Sequence, residues 1–138
     1  MFGLPEGRLR RVALFVVAAF FSFAGVSHFT NTEFFLAIVP PYLPAHLELV
    51  YISGVFEVLG GVGVLLAVSR TWARYGLIAL LVAVYPANIH MALHPDLFPD
   101  MTVTALYVRL PLQFVMAWLV WWATAADSPA AAVQASPS

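Results

Sequence analysis

The chain has 138 residues, 62% of them apolar and 9% charged, with a formal net charge of −1 and no cysteine. The soluble average is about half apolar and a quarter charged, so a soluble core is excluded as the place to hide this much apolar surface. A nucleic-acid partner is excluded too, because that needs a dense basic face. Disulfides, thiolate nucleophiles and Cys-ligated iron–sulfur clusters fall with the absent cysteine, and any redox role must use a bound cofactor or a partner.

The first apolar run follows Arg8, Arg10 and Arg11, as a secretory signal would. Residues 12–29 hold no Asp, Glu, Lys or Arg, a run longer than the usual h-region of about 7 to 15 residues and without a clear cleavage site, so it reads as a retained helix. Three more runs reach the roughly 20 helical residues that cross a hydrocarbon core of about 30 Å. The expected helices are therefore 10–29, 48–69, 73–93 and 103–124. The second has one interior charge, Glu57, the third has none, and the fourth has Arg109 before Trp118, Trp121 and Trp122, which resemble an interfacial aromatic belt. The fold expected is all-α, an integral membrane four-helix bundle in one domain over 1–126. Residues 127–138, mostly Ala, Ser and Pro, are expected to be a disordered tail.

Between the first two helices, TNTEFFLAIVPPYLPAHL opens with a cap at Asn31 or Thr32 and stops at Pro40, Pro41 and Pro44. It reads as a short interfacial helix followed by a Pro-rich lip. The later HPDLFPD loop has a similar pattern, which a two-helix repeat or the ordinary preference of proline for loops would both explain. Five of the six arginines, Arg8, Arg10, Arg11, Arg70 and Arg74, fall on one side of this topology, and Glu33, Glu48, Asp96 and Asp100 on the other. By the positive-inside rule both termini are cytoplasmic and the proline loops face out, in a multi-pass protein of the cell membrane, of the bacterial inner-membrane kind.

Ionisable groups inside a bilayer cost a few kcal/mol each on insertion scales, so they usually face the bundle interior and have partners. Glu57 and Arg109 are the expected pair, roughly 13 Å and roughly 10 Å deep from the outer ends at about 1.5 Å per residue. Ser53, Gly54, Gly60 and Gly61 surround Glu57 at helical spacing, and Gln113 shares the Arg109 face, with Pro111 loosening the helix between them. Pro86 should kink the third helix beside Asn88. His28, Ser53, Glu57, Asn88, Arg109 and Gln113, with Tyr51 and Tyr107 above them, thus describe a polar pocket in the outer half. The plainer reading is a structural ion pair that fixes helix register. His90 and His94 are four apart but lack a third ligand at suitable spacing, so no metal site is expected, and a haem between His28 and His90 is disfavoured. Gly54, Gly60, Gly61 and Gly63 read as helix packing, not a phosphate loop.

GVSHF, FFLAIVPPYLP, YISGVFEVLGG, YPANIHMALHP and RLPLQ together resemble the DoxX-like family of small four-helix membrane proteins, over about residues 12–122. The resemblance implies a four-helix bundle related to subunits associated with thiosulfate–quinone oxidation and to the redox-associated membrane proteins of methylamine utilisation. By motif it points to His28, Glu57, Asn88, Arg109 and Gln113, while the missing cysteine puts thiol chemistry out of reach of this chain alone. The function expected is a redox-associated accessory or subunit, not a stand-alone enzyme, that binds a quinone or another small amphipathic ligand. In that reading Arg109, Gln113 and Asn88 hold the polar head and Glu57 anchors Arg109. The alternative is a non-catalytic assembly factor whose small-residue faces on the second and third helices receive a partner helix. A proton or small-solute carrier is less favoured, for want of a polar route to the cytoplasmic side. The expected partners are the lipid bilayer and either a membrane subunit or a second copy of the chain.

Overall fold

A computed structural model describes residues 2–126, so the tail expected over 127–138 lies outside the described residues. Five α-helices run in order: α1 Arg8–Thr30, α2 Thr32–Ile38, α3 His46–Gly63, α4 Arg70–Leu93 and α5 Val103–Thr124, with a 3-10 turn at Pro95–Leu97. Four of them, of 23, 18, 24 and 22 residues, are long and apolar enough to cross a membrane. Their outward faces carry residues such as Phe15, Phe23, Val82 and Phe114 in the open, an exterior suited to lipid rather than water.

The helix ends follow from where the chain can satisfy its carbonyls. Gly7 precedes α1 at φ 89, a left-handed conformation that glycine adopts without strain. At the other end of α1 the Thr32 hydroxyl turns back, donating to the carbonyls of His28 at 2.8 Å and Phe29 at 3.2 Å. Thr32 therefore caps the helix before it. Asn31, the N-cap of α2, makes no side-chain cap bond.

α3 stops at Gly63, six residues short of the expected end, although Val64–Val68 keeps the segment apolar. Side chains take over from the helical ladder there: Ser69 Oγ donates to the Gly63 carbonyl at 2.8 Å, and Arg70 Nε to Val64 at 2.7 Å. A cation at a helix C-terminus is also favoured by the helix dipole. Arg70 further donates to the carbonyls of Gly3 and Phe2, tying the N-terminal arm to the α3–α4 turn. The same device ends α5, where Arg74 Nε donates to Thr124 Oγ1 at 2.8 Å and its guanidinium lies 4.9 Å from the Trp121 ring. Arg10 reaches the Ala125 carbonyl, bringing the start of α1 and the end of α5 to one end of the bundle, called here the arginine end.

The four long helices form a ring. α1 packs on α3 and α5, and α4 packs on α3 and α5; α1 faces α4, and α3 faces α5, across the diagonals. The closest seam is α1 against α3, because glycines let the backbones approach: a Cβ on Gly25 would lie 2.7 Å from the Gly54 carbonyl oxygen, and one on Gly61 2.6 Å from Ser22 Oγ. Gly60 and Gly63 face Leu77 and Ala73 of α4. The small residues of α3 are thus taken up within the chain.

Toward the arginine end lies the main apolar core, with Leu14, Val17, Phe21, Val64, Leu77 and Val120 as its largest members and Thr124 buried at its edge. At the opposite end Met91, Phe98 and Leu106 form a second cluster, against which Phe34 and Ile38 of α2 pack. The short helix α2 therefore lies over this end as a lid. After it the chain passes Pro40, which is fully buried, and enters α3 through Ala45 at φ 53, a left-handed conformation unusual for a residue with a side chain.

Candidate functional site

Polar side chains enter the bundle toward its lidded end, on two facing seams. On the α1–α3 seam, Gly25 and Gly54 set the level at which His28 meets α3. His28 Nδ1 lies 2.8 Å from the Val50 carbonyl oxygen and 3.2 Å from Ser53 Oγ, which itself donates to Val50 at 3.0 Å. A carbonyl only accepts, so Nδ1 carries the hydrogen. On the other side of the ring, Nε2 is 2.8 Å from Glu57 Oε2, an atom shut away from solvent. Two lone pairs that close would repel, so one proton resides between them, and the His28–Glu57 pair is neutral overall. Phe35 of α2 stacks on the imidazole at 3.9 Å between ring centroids and 26° between planes, closing the pair off under the lid.

The α4–α5 seam carries the second group. Pro86 lies inside α4 and Pro111 inside α5, each removing one rung of its helix's hydrogen-bond ladder. Gln113 is buried, and its Nε2 donates to the Leu81 carbonyl, five residues before Pro86. Its Oε1 accepts from Asn88 Nδ2, and Asn88 Oδ1 in turn accepts from Arg109 Nε at 3.2 Å. An acceptor-only carbonyl stands at one end of this chain of bonds and a donor-only guanidinium at the other, so both amide orientations are fixed. Arg109 is half-buried, and among the described residues its two terminal nitrogens have no hydrogen-bond acceptor and its charge no carboxylate partner.

The expected Glu57–Arg109 pair does not form. The physical reason is the ring order: Glu57 stands on α3 and Arg109 on α5, which are diagonal, so Glu57 pairs with His28 of α1 and Arg109 bonds Asn88 of α4. The structure thus brings His28, Ser53 and Glu57 together, and separately Asn88, Arg109 and Gln113. Tyr51 and Tyr107 do not roof the site; both are exposed on the outside, Tyr51 stacked on Phe29. His90 and His94 lie ring to ring at 4.6 Å, and His94 Nδ1 bonds the His90 carbonyl. With both ring nitrogens of His28 engaged, a haem ligand there would first have to break the pair with Glu57 or the bond to Val50. Phe35 and the carbonyls of Val50 and Leu81 complete the two clusters; no residue pattern marks a backbone carbonyl as a partner, though Leu81 neighbours Val82, whose carbonyl loses its helical donor at Pro86.

A family model described as Domain of unknown function (DUF8561) matches residues 17–126, from the middle of α1 past the end of α5, and so takes in every residue of both clusters. Comparison with curated proteins and with solved structures gave no match.

Proposed function

The chain belongs to the Domain of unknown function (DUF8561) family, and on that footing we propose that it is a membrane-embedded binding protein for a small amphipathic ligand, acting as a redox-associated accessory or subunit rather than as an enzyme by itself. The observation that carries this reading is Arg109. A guanidinium placed in a bilayer costs about 2.5–3.5 kcal/mol on insertion scales, and a group that costs so much normally has its partners in place. Arg109 has one hydrogen bond, through Nε, and presents the remaining N–H groups beside Asn88 and Gln113. Polar heads with apolar tails fit such a place, since the tail can lie among the exposed apolar side chains of the helices.

The resemblance to DoxX-like proteins supports a redox association and makes a quinone a candidate ligand. With no cysteine in this chain, a thiol or Cys-ligated iron–sulfur centre would belong to a partner subunit. In the proposed orientation the arginine end lies at the cytoplasmic face and the lidded end at the outer face of the cell membrane, in line with the arginine distribution. His28 and Glu57 hold each other and fix the α1–α3 seam; they do not anchor Arg109.

The test is an optical spectrum of gently solubilised, purified protein, followed by extraction and mass spectrometry of what it carries. An amphiphile that fits the site, drawn from a set that includes quinones, should also raise the thermal stability of the protein. Purified protein that carries only bulk phospholipid and shows no stabilisation by any amphiphile would remove the support for a binding function.

A further inference from the structure

The proposed binding function leaves the chemistry of the ligand head open, and the hydrogen-bond directions on the α4–α5 seam narrow it. Counted from the Leu81 carbonyl outward, each amide oxygen already accepts one bond: Gln113 Oε1 from Asn88, and Asn88 Oδ1 from Arg109. What remains to face a ligand is mostly donor: the two terminal nitrogens of Arg109, with one amide hydrogen each on Asn88 and Gln113. A head that must itself donate, such as an alcohol, finds few acceptors here, and one that only accepts finds several donors.

Charge narrows it further. Glu57, the carboxylate in the interior of α3, stands on the diagonal helix and is neutralised by His28, so it supplies no counter-charge to Arg109. A guanidinium with an open fork and no carboxylate partner among the described residues suits an anion, which it can meet through two parallel N–H bonds. Resting on the binding function proposed above, we infer that the head received by Arg109 is an oxyanion on an apolar tail, a carboxylate or a phosphate, rather than the neutral carbonyl of a quinone. The two sources of such a head are a fatty-acid-like carboxylate and a lipid phosphate.

The full chain, delipidated and held in a non-ionic maltoside detergent, is titrated with dodecanoate, dodecyl phosphate, dodecanol and a short-tailed benzoquinone, and binding is read by tryptophan fluorescence and by native mass spectrometry. One of the two anions should bind about 10- to 100-fold more tightly than dodecanol or the quinone, as expected for charge-assisted hydrogen bonds. Which anion wins identifies the source of the head. Arg109→Gln should abolish the preference. Arg109→Lys, which keeps the charge on a flexible stem without the fork, should keep more of the phosphate binding than of the carboxylate binding, and serves if the Gln variant does not fold. Dodecanol or quinone binding as tightly as both anions would overturn the oxyanion inference and leave the binding function standing. No binding by any of the four would overturn both.

Discussion

Glu57 Oε2 sits 2.8 Å from His28 Nε2 across the α1–α3 seam, while the arginine it would be expected to neutralise lies on the opposite helix of the ring. The partner of a buried charge is thus set by which helices are neighbours, not by depth alone. Double-mutant cycles on unfolding free energy, measured in mixed micelles, should report this. Glu57→Gln with His28→Asn should show a coupling of about 1–3 kcal/mol, whereas Glu57→Gln with Arg109→Gln should be additive within about 0.5 kcal/mol. A large coupling in the second cycle would place the two charges together.

The same seam depends on glycine. A methyl group on Gly25 would press on the backbone of Gly54, which has no flexible side chain to move aside, so Gly25→Ala should destabilise the bundle by about 1–3 kcal/mol. Gly76 of α4 is the control: nothing lies within 4 Å of its Cβ position, and alanine suits a helix interior better than glycine by roughly 0.5–1 kcal/mol. Gly76→Ala should therefore leave stability unchanged or raise it in the same unfolding assay.

Phe35 is the contact through which the α2 lid covers His28. An aromatic stack of this kind is worth about 0.5–1.5 kcal/mol, so Phe35→Ala should accelerate amide exchange over residues 32–45 by about 2- to 10-fold. Labelling of His28 by diethyl pyrocarbonate should rise with it. Exchange elsewhere in α3 and α5 should stay unchanged, since α2 contributes no fully buried residue to the bundle.

Membrane orientation can be tested without background, because the chain has no cysteine. Tyr42, 72% exposed beyond the lid, and Thr71, exposed at the arginine end, mark opposite ends of the bundle. In intact cells, Tyr42→Cys should react with a membrane-impermeant maleimide and Thr71→Cys only after permeabilisation. The reverse pattern would invert the topology proposed from the arginines.

Helix number and the polar residues were legible because both rest on local composition: long runs without charge, and a few ionisable groups set within them. The end of α3 was not legible, since Val64–Val68 is as apolar as the helix before it. Only the side chains of Ser69 and Arg70, reaching back to Gly63 and Val64, explain the stop. The pairing of Glu57 was hidden for a different reason, because hydropathy gives each residue a depth and a face but not the neighbour of its helix. The signal was present in principle. In an up-and-down ring α1 lies beside α3, and the facing glycines Gly25 and Gly54 bring His28 level with Ser53 and Glu57. Thr32 as a C-terminal cap was equally ambiguous, since a threonine between two helices can serve either one.

The most direct measurement compares what co-purifies with the wild-type chain and with Arg109→Gln, each gently solubilised, brought to equal amounts and extracted for quantitative mass spectrometry. A single amphiphile held near one per chain by the wild type, and reduced about tenfold or more in the variant, is the expected result. The same bulk phospholipid profile from both proteins would contradict a ligand site at Arg109.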